Sequence, residues 1–209
     1  ARHLDAEWRR IGSPDEFTVV DAGAGPGTLA RSVLLARPDC LDAMRYVAVE
    51  VSAMQRERHP DGVESVASMP SGTFDGVIVA NELLDNLPFR LTVYDEGWHE
   101  AFVERRADGE FTERLGERFD PPPAVLASMR SLGARAPIVE RATTWVDDSL
   151  ALLRSGSLLV IDYGVAHTTE LAMRPWRDWL RTYRGNQRGD HYLRDPGTQD
   201  ITTDVPFDQ

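Results

Sequence analysis

The first eighty residues alternate between largely apolar runs and periodic apolar stripes. Phe17 to Ala22, Tyr46 to Val51 and Phe74 to Ala80 are the runs, with Val63 to Val66 a weaker one. Such runs predict strands buried on both faces, as in a parallel sheet covered by helices. Between them, Ala6 to Ile11, a stripe of Leu29, Val33, Leu34 and Ala36, and Ser52 to Arg58 predict helices. Gly12 closes the first, and Asp39, after Pro38, the second. Leu158 to Asp162 predicts a further core strand. Strands alternating with helices predict an α/β fold: a doubly wound, mostly parallel, Rossmann-like sheet with its ligand at the carboxyl ends of the strands.

Beyond Pro88 the pattern changes. Leu91–Tyr94, Glu100–Arg105 and Phe111–Leu115 predict short strands, separated by the turn signals Asp95-Glu96-Gly97 and Asp108-Gly109. They predict an antiparallel insertion over 89–118 within a single domain spanning 1–209. Pro121-Pro122-Pro123 breaks the chain. Helices are expected over Ala124–Ser131, over Glu140–Leu153 with Gly156 closing it, and over Leu171–Leu180. Residues 185–209 read as loop, leaving the sheet incomplete at its C-terminal side.

Composition narrows the class. The 209 residues are 42 % hydrophobic and 27 % charged, as in soluble globular proteins. No apolar run approaches the roughly 18 residues of a membrane span, and Ala1 to Trp8 is too polar for a signal peptide. The net charge is −11 and the basic residues are all arginine. That balance argues against nonspecific nucleic-acid binding and suits a basic partner, such as an arginine-bearing protein segment. Cys40 is the only cysteine, which excludes an internal disulfide and suits the cytoplasm. The chain starts without methionine and stops at Gln209 with no closing element, so a fragment is expected.

Three motifs carry chemistry. The first runs from Val19 through Asp21, Gly23, Ala24, Gly25, Pro26 and Gly27 to Thr28. Its glycines allow a sharp turn and a close ligand approach, and the next helix aims free N–H groups at that ligand. A dinucleotide loop would place its third glycine where Thr28 stands, and a P-loop needs a lysine. Asp21 suits an ammonium group better than a pyrophosphate. The second motif is Glu50, with Val51 beside it, ending the second strand, where an acid can accept from both ribose hydroxyls. The third is Asn81-Glu82-Leu83-Leu84-Asp85-Asn86-Leu87-Pro88. On a helical turn Glu82 and Asp85 share a face and can grip a guanidinium. Equally, Asn81 can cap a helix whose first turn favours acids; spacing leaves both open. Ser68 and Met69 lie either beside an adenine or in a loop without a role. Asp162 and Tyr163 end the fifth core strand, where they either line an acceptor pocket or simply pack, and Arg181, Tyr183 and Arg184 either shape an acceptor channel or form a solvated helix end. The five histidines show no metal spacing.

The combined pattern resembles the MidA-like methyltransferases, relatives of a mitochondrial complex I assembly factor. It rests on Asp21–Thr28, Val49–Ser52, Asn81–Pro88, Val160–Gly164, Leu180–Gly185 and Asp195–Thr202. The resemblance implies a seven-stranded class I methyltransferase fold with S-adenosyl-L-methionine as donor. The cofactor residues would be Asp21, Gly23, Ala24, Gly25, Gly27, Glu50, Val51, Ser68, Met69 and Asn81. Glu82 and Asp85 would be catalytic, and a protein substrate, arginine favoured, would be the acceptor. The chain departs from the family in lacking the segment before the glycine loop and the last strands, and in carrying Asp204 and Pro206 where a histidine and an aspartate are usual. Two other functions fit less well: a non-catalytic S-adenosylmethionine-binding assembly factor, and a nicotinamide-dependent oxidoreductase, against which Thr28 argues.

Overall fold

The computed structural model describes residues 1–209 apart from 127–129 and 186. In chain order the elements begin with α1 (Arg2–Arg10), β1 (Phe17–Ala22), α2 (Thr28–Ala36), β2 (Met44–Val49), α3 (Ala53–Arg56), β3 (Glu64–Val66) and β4 (Phe74–Asn81). There follow β5 (Arg90–Tyr94), β6 (Trp98–Arg105), β7 (Phe111–Arg118), β8 (Arg135–Ile138), α4 (Glu140–Ala151) and β9 (Leu153–Ile161). The chain closes with β10 (Gly164–Val165), α5 (Thr168–Leu171), β11 (Leu180–Arg184), β12 (Gln187–Arg188), β13 (Asp200–Thr203) and β14 (Val205–Pro206). Two compact units form, one from Ala1–Leu83 with Thr144–Ile161, the other from Leu84–Thr143 with Asp162–Gln209.

The first unit is built on a parallel sheet in the order β3-β2-β1-β4-β9. Every residue of β1 is buried, which explains why its run is largely apolar. Phe17, Val19 and Val77 pack with Leu4 and Val33 on one face, and Val20, Val47 and Ile78 pack with Trp145 on the other. Each fully buried side chain of this size contributes about 1.5–3 kcal/mol. The strand order reverses between β1 and β4, and ligands of open α/β sheets settle at such a reversal. Register brings Asp21 level with Ala48 on β2 and Val79 on β4, so the motif residues gather at one sheet edge.

Two expectations change here. Helix α2 stops at Ala36 because Arg37 turns left-handed, with φ 45°, ahead of Pro38. Gly156, expected to close a helix, lies inside β9. Strands β1, β4 and β9 meet so closely there that a Cβ on Gly156 would stand 1.7 Å from the Gly76 carbonyl oxygen. Its φ of 138° also excludes most side chains.

The second unit holds an antiparallel sheet in the order β7-β6-β5-β8. β5, β6 and β7 fall where the turn signals placed them. The unexpected β8 is an edge strand, the position that tolerates Pro137. The helix expected over 171–180 is replaced by α5, a 3-10 turn at Trp176–Asp178 and β11. Trp179 and Leu171 are fully buried, and the Trp179 indole N–H donates to the Leu171 carbonyl at 3.1 Å. Residues 185–209 are not simply loop. β13 pairs with β11, matching Thr182 to Ile201, and β14 pairs in parallel with β10. Of the helix expected over Ala124–Ser131, residues 127–129 lie outside the described residues. No described helix is long and apolar enough to cross a membrane.

Candidate functional site

At the carboxyl edge of the first unit lies a cavity of about 420 Å³. Val19, Tyr46, Val79, Leu159 and Ile161 give it apolar walls, and Asp21, Gly23, Ala24 and Asn81 line its strand-tip side. Asp21 is only 3 % exposed and accepts a hydrogen bond from the Tyr46 hydroxyl at 2.9 Å. Burial pushes its carboxyl above the usual range, and the Tyr46 hydroxyl and nearby His59 offset part of that rise. A buried carboxylate against an apolar cavity favours a cationic group.

The glycine loop is held from several directions. The N–H groups of Gly23 and Ala24 donate to the Val49 carbonyl at 2.9 and 3.0 Å, tying the loop to β2. The Gly25 N–H donates to Glu50 Oε2 at 2.9 Å, and the Ser52 N–H to Glu50 Oε1 at 2.8 Å. Arg56 donates to the Glu50 and Val51 carbonyls at 2.7 and 2.8 Å, fixing the β2 tip. Gly25 has φ 53°, and a Cβ there would meet nothing within 4 Å. Its open side is the one a ligand can approach. Gly23 differs: a Cβ there would meet Leu83 Cδ1 at 3.1 Å.

Of the expected cofactor residues, Asp21, Gly23, Ala24 and Asn81 share the cavity. Gly25 and Glu50 are joined by their hydrogen bond. Val51 and Ser68 are exposed, and Met69 packs against the core beside β2. Asn81 ends β4 and caps no helix. Glu82 is exposed and left-handed, with φ 51°, and its N–H donates to the Ile161 carbonyl at 2.8 Å. The helical turn begins only at Leu84, so the expected common helix face for Glu82 and Asp85 does not form.

In the second unit Asp85 is buried and accepts from the Asn86 side-chain amide at 2.6 Å. Asp162 Oδ2 accepts from the N–H groups of Leu84 and Asp85 at 2.9 and 3.3 Å, fixing this 3-10 turn. Asp204 is buried and pairs with Arg181 at 2.7 Å and Arg174 at 3.2 Å. Tyr46, Arg56 and His59 carried no motif. Tyr46 reads as one more apolar strand position, and only the fold brings its hydroxyl to Asp21. No group of acids, histidines and cysteine that could hold a metal ion occurs among the described residues.

A family model described as "Putative S-adenosyl-L-methionine-dependent methyltransferase" matches residues 1–209. The chain is 26 % identical over 245 residues to the mitochondrial protein arginine methyltransferase NDUFAF7 homolog of Drosophila melanogaster, covering 98 % of this chain and 54 % of that protein. It is 26 % identical over 251 residues to the mitochondrial protein arginine methyltransferase NDUFAF7 of Xenopus laevis, covering 97 % and 53 %. The chain thus spans about half the length of these relatives. Two crystal structures from Burkholderia thailandensis are similar. An uncharacterized superfamily protein matches with TM-score 0.83 and 28 % identity over 99 % of this chain and 58 % of its own. A member bound to S-adenosyl-homocysteine matches with TM-score 0.80 and 25 % identity over 99 % and 56 %.

Proposed function

This chain belongs to that family of S-adenosyl-L-methionine-dependent methyltransferases, and we propose that its first unit holds S-adenosylmethionine at the tips of β1 and β2 and serves the methylation of a protein side chain, arginine favoured. Asp21 carries the proposal. A buried carboxylate lining an apolar cavity beside a glycine loop fits the ammonium of the methionine part. Glu50 fits the ribose. Each of its oxygens accepts one backbone N–H and keeps lone-pair capacity for a hydroxyl. The open side of Gly25 leaves room for the cofactor chain. Asn81 would meet the cofactor from β4, and Val51, Ser68 and Met69 would flank the adenine.

When bound, S-adenosylmethionine supplies an activated methyl group for in-line transfer. The protein's part is positioning. Glu82, exposed just beyond β4, would orient the guanidinium of an arginine acceptor and take a proton from it, since the free group has a pKa above about 12. Asp85 would keep the Leu84–Asn86 turn in shape through Asn86. Arginine is favoured because the relatives are named protein arginine methyltransferases and because the chain's acidity, net −11, suits a basic segment. We place this work in the cytoplasm, consistent with the lone Cys40. The test is mass spectrometry of protein methylation in cells with and without the full-length gene. Methylarginine sites that vanish with the gene and return with it are expected; an unchanged methylarginine profile would contradict the proposal.

A further inference from the structure

His59 follows α3 and reaches back to the glycine loop. Its Nε2 stands 2.9 Å from the Gly25 carbonyl oxygen and its Nδ1 2.8 Å from Ser65 Oγ. A carbonyl only accepts, so Nε2 carries the proton. In the neutral ring Nδ1 then accepts from the Ser65 hydroxyl. Gly25 is therefore gripped through the peptide groups on both sides of its α-carbon, its N–H by Glu50 and its C=O by His59.

The last glycine of the loop serves the same contact. A Cβ on Gly27 would stand 3.1 Å from both His59 Cδ2 and Pro60 Cδ. Its missing side chain makes room for His59 and Pro60. Arg31 of α2 adds a second tie, donating to the Pro26 carbonyl at 2.8 Å and the Arg58 carbonyl at 2.9 Å.

We propose that His59 is a positioning residue for the cofactor loop, holding the carbonyl side of Gly25 while Glu50 holds its N–H side and shares its carboxylate with the ribose. This rests on the proposal that the loop binds S-adenosylmethionine. Glu50 is the partner of the Gly25 N–H and also the proposed ribose acceptor, so the orientation of the ribose acceptor depends on where Gly25 is held. The start of the loop stays tied through the Val49 carbonyl. Gly25, where an added Cβ would meet nothing within 4 Å, has His59 as its second side-chain anchor beside Glu50.

The test uses the full-length protein and S-adenosylhomocysteine as the probe, with calorimetry and amide hydrogen exchange. His59→Leu keeps bulk against Gly27 and removes both polar contacts, while His59→Gln restores an N–H donor. His59→Leu should bind about tenfold more weakly, and His59→Gln should recover most of the loss. Exchange across residues 23–27 of the unliganded protein should be faster in His59→Leu and return toward normal in His59→Gln. Wild-type affinity in a folded His59→Leu would overturn the proposal. Should that variant not fold, His59→Asn, too short to reach Gly25, takes its place with the same criterion. If the unsubstituted protein itself fails to bind the probe, the cofactor assignment fails. Exchange then decides the anchor alone, and an unchanged rate across 23–27 overturns it.

Discussion

The Gly25 backbone N–H donates to the Glu50 carboxylate at 2.9 Å, so the acid at the tip of β2 fastens the loop that leaves β1. One side chain thereby joins two motifs that stand 25 residues apart in sequence. Glu50→Ala removes an acceptor from two backbone N–H groups and should weaken S-adenosylhomocysteine binding by about 1–3 kcal/mol. Glu50→Gln should fall between, because an amide accepts through one oxygen only. Calorimetry on folded variants measures both; affinity unchanged in Glu50→Ala would remove Glu50 from the site.

Asp21 predicts a pH dependence. Burial raises its folded-state carboxyl above the unfolded value, so the folded protein binds the extra proton. Its contribution to stability is therefore greatest below the unfolded value, about 4, and declines as pH rises through the raised folded value. Melting curves of the unliganded protein should show this decline, and Asp21→Asn should flatten it. Binding of a cationic ligand should strengthen across the same window, as the carboxylate ionises. Identical pH profiles for the two proteins would show that Asp21 titrates without consequence.

Gly156→Ala tests the close approach of β9 to β4. The added methyl would meet the Gly76 carbonyl at 1.7 Å, and backbone cannot yield as a flexible side chain can. A loss of about 3 kcal/mol or more is expected by denaturant titration. A loss near zero would mean that the sheet opens there at little cost.

Glu82→Gln addresses the acceptor. The substitution keeps shape, loses the charge that pairs with a guanidinium and adds a donor where an acceptor is needed. Cofactor affinity should persist while methyl transfer falls about 100-fold or more. If Glu82 has no such role, stability should change by about 1 kcal/mol or less and turnover should stay intact. The measurement is single-turnover transfer by the cofactor-saturated, full-length protein.

What the sequence made legible was set by local pattern. β1, β2 and β4 announced themselves because strands buried on both faces leave largely apolar runs. Glycines 23, 25 and 27 marked the loop, but their reasons differ: Gly25 faces open space, whereas Gly27 yields to His59. Leu171, Trp176, Trp179 and Leu180 imitate a helical stripe, yet they come from a short helix, a turn and a strand. Residues 200–206 looked like loop because their pairing partners lie far back, at Leu180–Tyr183 and Gly164–Val165. The supports of the site were hidden for the same reason. Tyr46 meets Asp21, and His59 meets Gly25, only through tertiary contact.

The most direct test of the central proposal, a cofactor site at the tips of β1 and β2, is a calorimetric titration of S-adenosylhomocysteine into the full-length protein and its Gly25→Val variant, with circular dichroism to confirm folding. Gly25 combines φ 53° with an open α-carbon face, so valine would strain the backbone and occupy the ligand's space. One-site binding by the unsubstituted protein, lost in a folded Gly25→Val, is the result predicted. Equal binding by both, or none by the unsubstituted protein, would contradict it.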